Sequence, residues 1–321
     1  PTSDHVAEGV VRAKSAHCDC ILAVGGGSSI DTAKAIAIKV LNADLALTDI
    51  PKQNFIRRLP LIAVPTTAGT GSEATRVAVI TNTATGIKEN PGHAAILPDI
   101  AVLDPELMMT LPGGLTASTG MDALAHAMEA YVSNKANAMT DMYAYEAMKI
   151  IGRFLPKVFA NGLDQEARQQ MSLASCFAGI AFSNASTNLA HAGGRALGAK
   201  FHIPHGLSVA LLLPFVMEFG LEVAQERYAR VAVALGANPH AGRQELATQA
   251  VGIVNGYNDT FGVWSEAAEK FIPDFDAFRA AIPEMTNNAL AGNGILTNPI
   301  IPTEQDVAIL FEKLANKLAL Q

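Results

Sequence analysis

The chain has 321 residues, half of them hydrophobic and 17% charged, which is enough apolar material for a large core in two lobes and excludes a disordered or fibrous protein. With 23 basic against 30 acidic residues and a net charge of -7, it carries no basic field to attract nucleic acid or an anionic membrane surface. No apolar run reaches the about 20 residues that a bilayer-spanning helix needs, so the expected partners are small molecules.

The chain opens Pro1-Thr2-Ser3 with neither an initiator methionine nor a signal sequence, and is expected to begin inside a domain. A helix pattern from Val6 to Ser15 leads to Cys18-Asp19-Cys20. With three cysteines in all, that spacing matches neither a disulfide framework nor a two-residue metal motif, so buried structural thiols in a reducing cytoplasm are expected. The apolar run from Cys20 to Val24 then ends in Gly25-Gly26-Gly27-Ser28 and runs into a helix. Contiguous glycines between a strand and a helix let backbone N-H groups approach a phosphate closely, although an ordinary tight turn would use the same residues. A second strand, Leu61 to Val64, ends in a loop where Thr66, Thr67, Thr70 and Ser72 surround Gly69 and Gly71. Two such loops at strand ends of one half suit a dinucleotide lying across a sheet edge. Strands are also predicted over Val77 to Thr81, Ala94 to Leu97 and Ile100 to Leu103, giving an α/β half.

Beyond about Asp104, Ala, Leu, Met and Glu recur at helical spacing. Helices are predicted over 115–132, 138–160, 164–198, 205–234, 241–261 and 304–319. The expected division is an α/β lobe over 1–108 and a helical metal and substrate domain over 109–321. Asp122 and His126 stand four apart in the first of these helices, about 40° apart around its axis, so both can reach one ion. His191 and His205 lie in glycine-bearing segments. One carboxylate with three imidazoles is a donor set for Fe(II), Zn(II) or a similar ion with open positions for substrate, while a hydrogen-bonded or surface role is the alternative for each histidine alone.

Taken together, Gly25-Gly-Gly-Ser-Ser-Ile-Asp-Thr-Ala-Lys-Ala35, Pro65-Thr-Thr-Ala-Gly-Thr-Gly-Ser-Glu73, Gly120-Met-Asp-Ala-Leu-Ala-His-Ala-Met-Glu-Ala130 and Pro204-His-Gly-Leu207 resemble the iron-containing (group III) alcohol dehydrogenases along the whole chain. The resemblance implies a Rossmann-like dinucleotide-binding lobe, incomplete at its N-terminus, followed by an all-helical metal-binding domain. It implies Asp122, His126, His191 and His205 as metal ligands, with Fe2+ or alternatively Zn2+. It implies NAD or NADP held by Gly25, Gly26, Gly27, Ser28, Asp31, Thr66, Thr67, Thr70, Ser72, Lys88 and Leu107. The implied reaction interconverts a small alcohol and its aldehyde in a homodimer or larger homo-oligomer. His202 is the expected proton relay, with a surface role as its alternative.

One departure concerns Arg195, four residues after the third ligand, where many family members carry a histidine. Arginine stays protonated and cannot act as a base, but it can grip a carboxylate or sulfonate with two hydrogen bonds. The expectation is a short aldehyde with an anionic tail, a structural ion pair being the alternative. Two other readings of the chain remain open at this level: a dehydroquinate-synthase-like lyase and a truncated, non-catalytic assembly subunit.

Overall fold

In the computed structural model, which describes residues 1–292 and 294–321, the N-terminal third is built on a small parallel sheet. Helix α1 (Ser3–Ser15) starts where the Thr2 hydroxyl accepts from the His5 N-H, the usual way of satisfying a first-turn donor. Strand β1 (Ile21–Gly25) leads into α2 (Gly27–Lys39), and β2 (Leu61–Pro65) lies between β1 and β5 (Ile100–Ala101), all parallel. The register pairs Gly25 with Pro65, so both loops leave the sheet at the same level and side by side. Ala23, Leu61 and Ala63 pack beneath Ile30, Ala33 and Ala37 of α2. Leu22, Val24, Ile100 and Val102 on the opposite face are exposed.

Two strand expectations shrink and a third fails. Of Val77 to Thr81 only β3 (Ile80–Thr81) is strand, paired antiparallel with β4 (Lys88–Glu89). Val77 forms a single bridge to Gly92, and its carbonyl accepts from Lys34. Ala94 to Leu97 is not a strand but a 3-10 turn, capped by the His93 ring, whose Nδ1 accepts from the Ala95 N-H. The run Ile100 to Leu103 pairs only over two residues. Short apolar runs carry too little periodicity to separate strand from turn. The thiol expectation also fails, since Cys18 and Cys20 are exposed and Cys176 is half-buried.

After the 3-10 turn Pro105–Met108 the chain is helical: α3 (Gly113–Val132), α4 (Ala138–Ala160), α5 (Gln165–Ala185), α6 (Leu189–Phe201), α7 (His205–Gly220), α8 (Gln225–Ala234), α9 (Arg243–Thr260), α10 (Val263–Lys270), α11 (Phe275–Leu290) and α12 (Glu304–Leu318). They share one hydrophobic core running from Ala117 to Leu318. The helix expected over 164–198 breaks at Ser186, which adopts φ 72°. The carbonyls freed there are taken up by distant hydroxyls, Ala185 by Ser133 and Thr187 by Thr297. The helix expected over 205–234 folds back on itself after Gly220, whose missing side chain leaves room for the Tyr228 ring. Helices α10 and α11 were not anticipated. The first is a short piece, and the second carries Pro283 in its interior. No helix among the described residues is long and apolar enough to cross a membrane.

Candidate metal and nucleotide site

Helix α3 is buried on every side from Gly120 to Val132, and its two polar ligand candidates, Asp122 and His126, therefore point into protein. Helix α6 brings His191 to them, and the first turn of α7 brings His205. That turn comes so close because residue 206 is glycine: a Cβ there would collide with the Ser118 carbonyl and touch Asp122 Cβ at 3.3 Å. Asp122 Oδ1 lies 3.4 Å from His191 Nε2 and 3.6 Å from His205 Nε2. Each of the three residues offers an atom within 4.8 Å of the other two.

His126 lies beside this group. Its ring stacks on Phe182 at 4.2 Å and on His191 at 4.3 Å, and its Nδ1 donates to the Gly69 carbonyl at 3.3 Å, while the nearest Asp122 oxygen is 3.9 Å away. Three of the four expected ligands thus converge, and the fourth adjoins them.

Asp122 and His191 are only 2% and 3% exposed, and His205 is half-exposed at the mouth. Asp122 Oδ1 and His191 Nε2 are buried with no hydrogen-bond partner among the described residues. An orphaned buried acceptor costs about 1–3 kcal/mol, and two such atoms facing the same point mark a place for a cation. The donor chemistry agrees, for one carboxylate oxygen and imidazole nitrogens suit Fe(II) or Zn(II).

Electrostatics point the same way. Burial alone would raise the Asp122 carboxyl, but the imidazoles around it reverse the sign and hold it well below the usual carboxylate range. Burial pushes His126 down to about 3, so its ring is neutral and able to ligate. For His191 burial is outweighed by Glu129 and Asp122, which raise it. Two buried carboxylates therefore face the histidines, and a divalent cation would compensate that charge.

Glu129 was missed by the sequence reading. It sits in the quoted helix motif, three residues after His126 and seven after Asp122, which is the same face of one helix. That spacing was the available signal.

The two loops of the α/β lobe meet above this cluster. Thr66 N-H donates to the Gly25 carbonyl at 3.0 Å. Ideal Cβ atoms on Gly26 and Gly27 would lie 3.4 Å from Thr67 Oγ1 and 2.8 Å from Thr70. The loops pack backbone against hydroxyl, and α2 begins at Gly27 with no side-chain cap on its first turn. Two expected cofactor contacts have other partners. The Ser72 hydroxyl donates to Asp31 Oδ1 at 2.6 Å, the Val79 N-H donates to Asp31 Oδ2 at 2.9 Å, and the buried Lys34 ammonium donates to Asp31, Thr75 and the Val77 carbonyl. Asp31 and Ser72 clamp the two loops together from behind. Ser28 is exposed and Thr66, Thr67 and Thr70 are half-buried around the cleft. Leu107 is exposed on the 3-10 turn, and Lys88 is exposed on β4 within Coulomb reach of His205.

Arg195 lies one turn after His191 on α6, partly buried, within Coulomb reach of both His205 and Glu129. Among the described residues it makes no ion pair and no side-chain hydrogen bond, so the structural ion pair weighed for it is not found. His202 caps the end of α6 in the left-handed region, φ 54°, and is exposed. The structure does not bring it into the Asp122 cluster.

Residues 1–105 match the family model described as iron-containing alcohol dehydrogenase, and residues 116–315 match the model of that family's C-terminal part. The chain is 40% identical over 315 residues to the NAD-dependent methanol dehydrogenase of Bacillus methanolicus, covering 97% of this chain and 81% of that protein. Among solved structures it superposes on an alcohol dehydrogenase from Oenococcus oeni with a TM-score of 0.91 at 35% identity, covering 98% of this chain and 81% of the other. It also superposes on a sulfoacetaldehyde reductase from Bifidobacterium kashiwanohense, solved in complex with NAD+, with a TM-score of 0.83 at 28% identity and coverages of 98% and 81%.

Proposed function

The chain belongs to the iron-containing alcohol dehydrogenase family and is an oxidoreductase, and from that premise we propose that it is an Fe2+-dependent, NAD(P)-linked reductase of short aldehydes bearing an anionic tail. The observation that carries the metal-dependent reading is the pair of orphaned buried atoms, Asp122 Oδ1 and His191 Nε2, which face each other beside His205 beneath the two loops. The matched residues cover both lobes, which favours the dehydrogenase over a lyase or a scaffold.

Asp122, His191 and His205 would hold the ion, with His126 the proposed fourth ligand. When bound, the ion supplies Lewis acidity at the substrate oxygen and the nicotinamide supplies or accepts the hydride. A bound ion can lower the pKa of water from about 16 to about 7, an effect on the order of 10 kcal/mol, which no neutral hydrogen bond of about 1 kcal/mol could replace. The remaining work is positioning. Gly25, Gly26, Gly27 and Ser28 with the hydroxyls of Thr66, Thr67 and Thr70 hold the pyrophosphate, and Lys88 and Leu107 border the cleft. Burial of Asp122, His126 and His191 keeps bulk water off the ligand side. Solvent reaches the site beside His205, where the proton that balances the hydride enters or leaves.

Arg195 supports the substrate class. Its guanidinium stands beside the ligand cluster without a carboxylate partner among the described residues, and it can take a carboxylate or sulfonate in two hydrogen bonds. One solved relative is named for an aldehyde with a sulfonate tail, another relative for methanol, so the family's named substrates include both kinds. The test is anaerobic loading with Fe(II) and following NADH and NADPH absorbance against matched short aldehydes with and without an acidic tail. In Arg195→His, kcat/KM for the charged aldehyde should fall about 10- to 100-fold, the worth of hydrogen bonds to a charged group, with the neutral aldehyde nearly unchanged. A preference for neutral aldehydes in the unmodified enzyme would sink the anionic-tail reading. Absence of turnover with every pair, despite bound metal, would sink the dehydrogenase reading.

A further inference from the structure

We infer that Glu129 is a positioning residue that orients His191 toward the metal site and, with the same carboxylate, caps the helix that carries it. The inference rests on the reading that Asp122, His191 and His205 hold a divalent ion. Helix α6 begins at Leu189, and its nominal cap residue, Asn188, makes no side-chain hydrogen bond to the first turn. Asn188 donates instead from Nδ2 to the Glu129 carbonyl at 2.9 Å. The acceptor that an N-cap side chain normally supplies comes from 61 residues away: Glu129 Oε1 accepts from the Ala190 N-H at 2.7 Å and from the His191 N-H at 3.3 Å.

The other oxygen, Oε2, accepts from His191 Nδ1 at 2.5 Å. A carboxylate has no hydrogen to give, so Nδ1 must carry the proton. In the neutral ring that a cation requires, Nε2, which faces Asp122 Oδ1 and has no partner among the described residues, then presents its lone pair to the site. The hydrogen bond made by one ring nitrogen thus decides which form the other presents. A rigid link results, because the start of α6, the plane of the His191 ring and helix α3, which also bears Asp122, are held through one buried group.

Replacement by glutamine separates these two jobs. An amide in that place can keep its oxygen on the Ala190 and His191 N-H groups, but its NH2 then donates to Nδ1 and moves the ring hydrogen to Nε2, against Asp122. Turned the other way, it keeps the Nδ1-H bond and sets its NH2 against the two backbone donors. It cannot satisfy both.

The test titrates Co(II), in competition with a chromophoric chelator, into the metal-free unmodified protein, Glu129→Gln and Glu129→Asp, with circular dichroism and thermal melting as the check on folding. We expect Glu129→Gln to weaken Co(II) about 10- to 100-fold and to change the visible Co(II) spectrum while the folded spectrum is kept. Glu129→Asp, which retains the charge but withdraws it by one methylene, should lose less. If Glu129→Gln does not fold, the aspartate variant alone decides. Co(II) affinity and spectrum unchanged in a folded variant would overturn the inference, and a variant that only melts earlier would reduce Glu129 to a helix cap. Failure of the unmodified protein to bind Co(II) would instead overturn the metal reading, and this inference with it.

Discussion

The helical site and the loop site achieve precision by opposite means. In the helical domain, Asp122, His126, Glu129 and His191 are polar side chains sunk in a helix core, where His126 is fixed by a carbonyl, Glu129 and His191 hold each other, and Asp122 faces the imidazoles. In the α/β lobe, Gly26, Gly27 and Gly71 contribute by having no side chain, so that backbone meets hydroxyl or backbone meets backbone. The first arrangement is vulnerable to lost charge, the second to added volume.

The largest effect should come from Asp122→Ala. It removes the carboxylate common to both short contacts of the cluster and should abolish stoichiometric metal binding. The expected fall in kcat/KM is on the order of 10^3-fold or more, about 4 kcal/mol. Metal content and steady-state kinetics check it, and retained metal with retained rate would break the comparison at its stronger end.

Next comes added volume. Gly71 has φ 60°, and a Cβ there would lie 2.7 Å from Gly179 Cα and 2.8 Å from the Ser175 carbonyl. Gly71→Ala should destabilise by about 2–5 kcal/mol, the sum of left-handed strain and overpacking against backbone that cannot move aside. Denaturant unfolding reads this directly, and a loss under about 1 kcal/mol would show that the loop yields.

A charge buried in the loop lobe sharpens the contrast. Burial pushes Glu73 up to about 7, with Lys34 pulling the other way. The folded protein holds this proton more tightly than the unfolded chain, whose carboxyl titrates near 4.5. Stability from this group is therefore fully present at low pH and is lost as pH rises from about 4.5 through 7. Glu73→Gln should become progressively more stable than the unmodified protein across that window, by up to about 3 kcal/mol above pH 7. A difference in stability that stays flat with pH would refute it.

The smallest effect belongs outside both sites. Arg12 and Glu8 form an exposed pair one turn apart on α1, and Arg12→Ala should change stability by less than about 0.5 kcal/mol. A larger loss in thermal unfolding would mean that α1 does more for the sheet than its contacts indicate.

Much of this protein is written locally. Contiguous glycines after an apolar run and hydroxyls around Gly69 and Gly71 are short-range patterns whose chemistry follows from spacing, and so is the pairing of Asp122 with His126 on one helix face. His191 and His205 stood out only by their glycine-bearing segments and the family resemblance, and it is these two that the fold brings onto Asp122. The helical second half was legible from spacing as well, since periodicity reports which face is buried. Periodicity does not report what that face meets. The breaks at Ser186 and after Gly220 depend on hydroxyls and a ring supplied from far along the chain. The strand expected at Ala94 became a turn because the ring of its neighbour His93 capped it. Asp31 turned from the cleft to Ser72 and Lys34, and Glu129 found the first turn of α6, because a buried carboxylate must reach whichever donors the packed helices place beside it. Residue types and their spacing set what chemistry was on offer, and the tertiary structure decided which of those groups face the site and which are held by the protein itself.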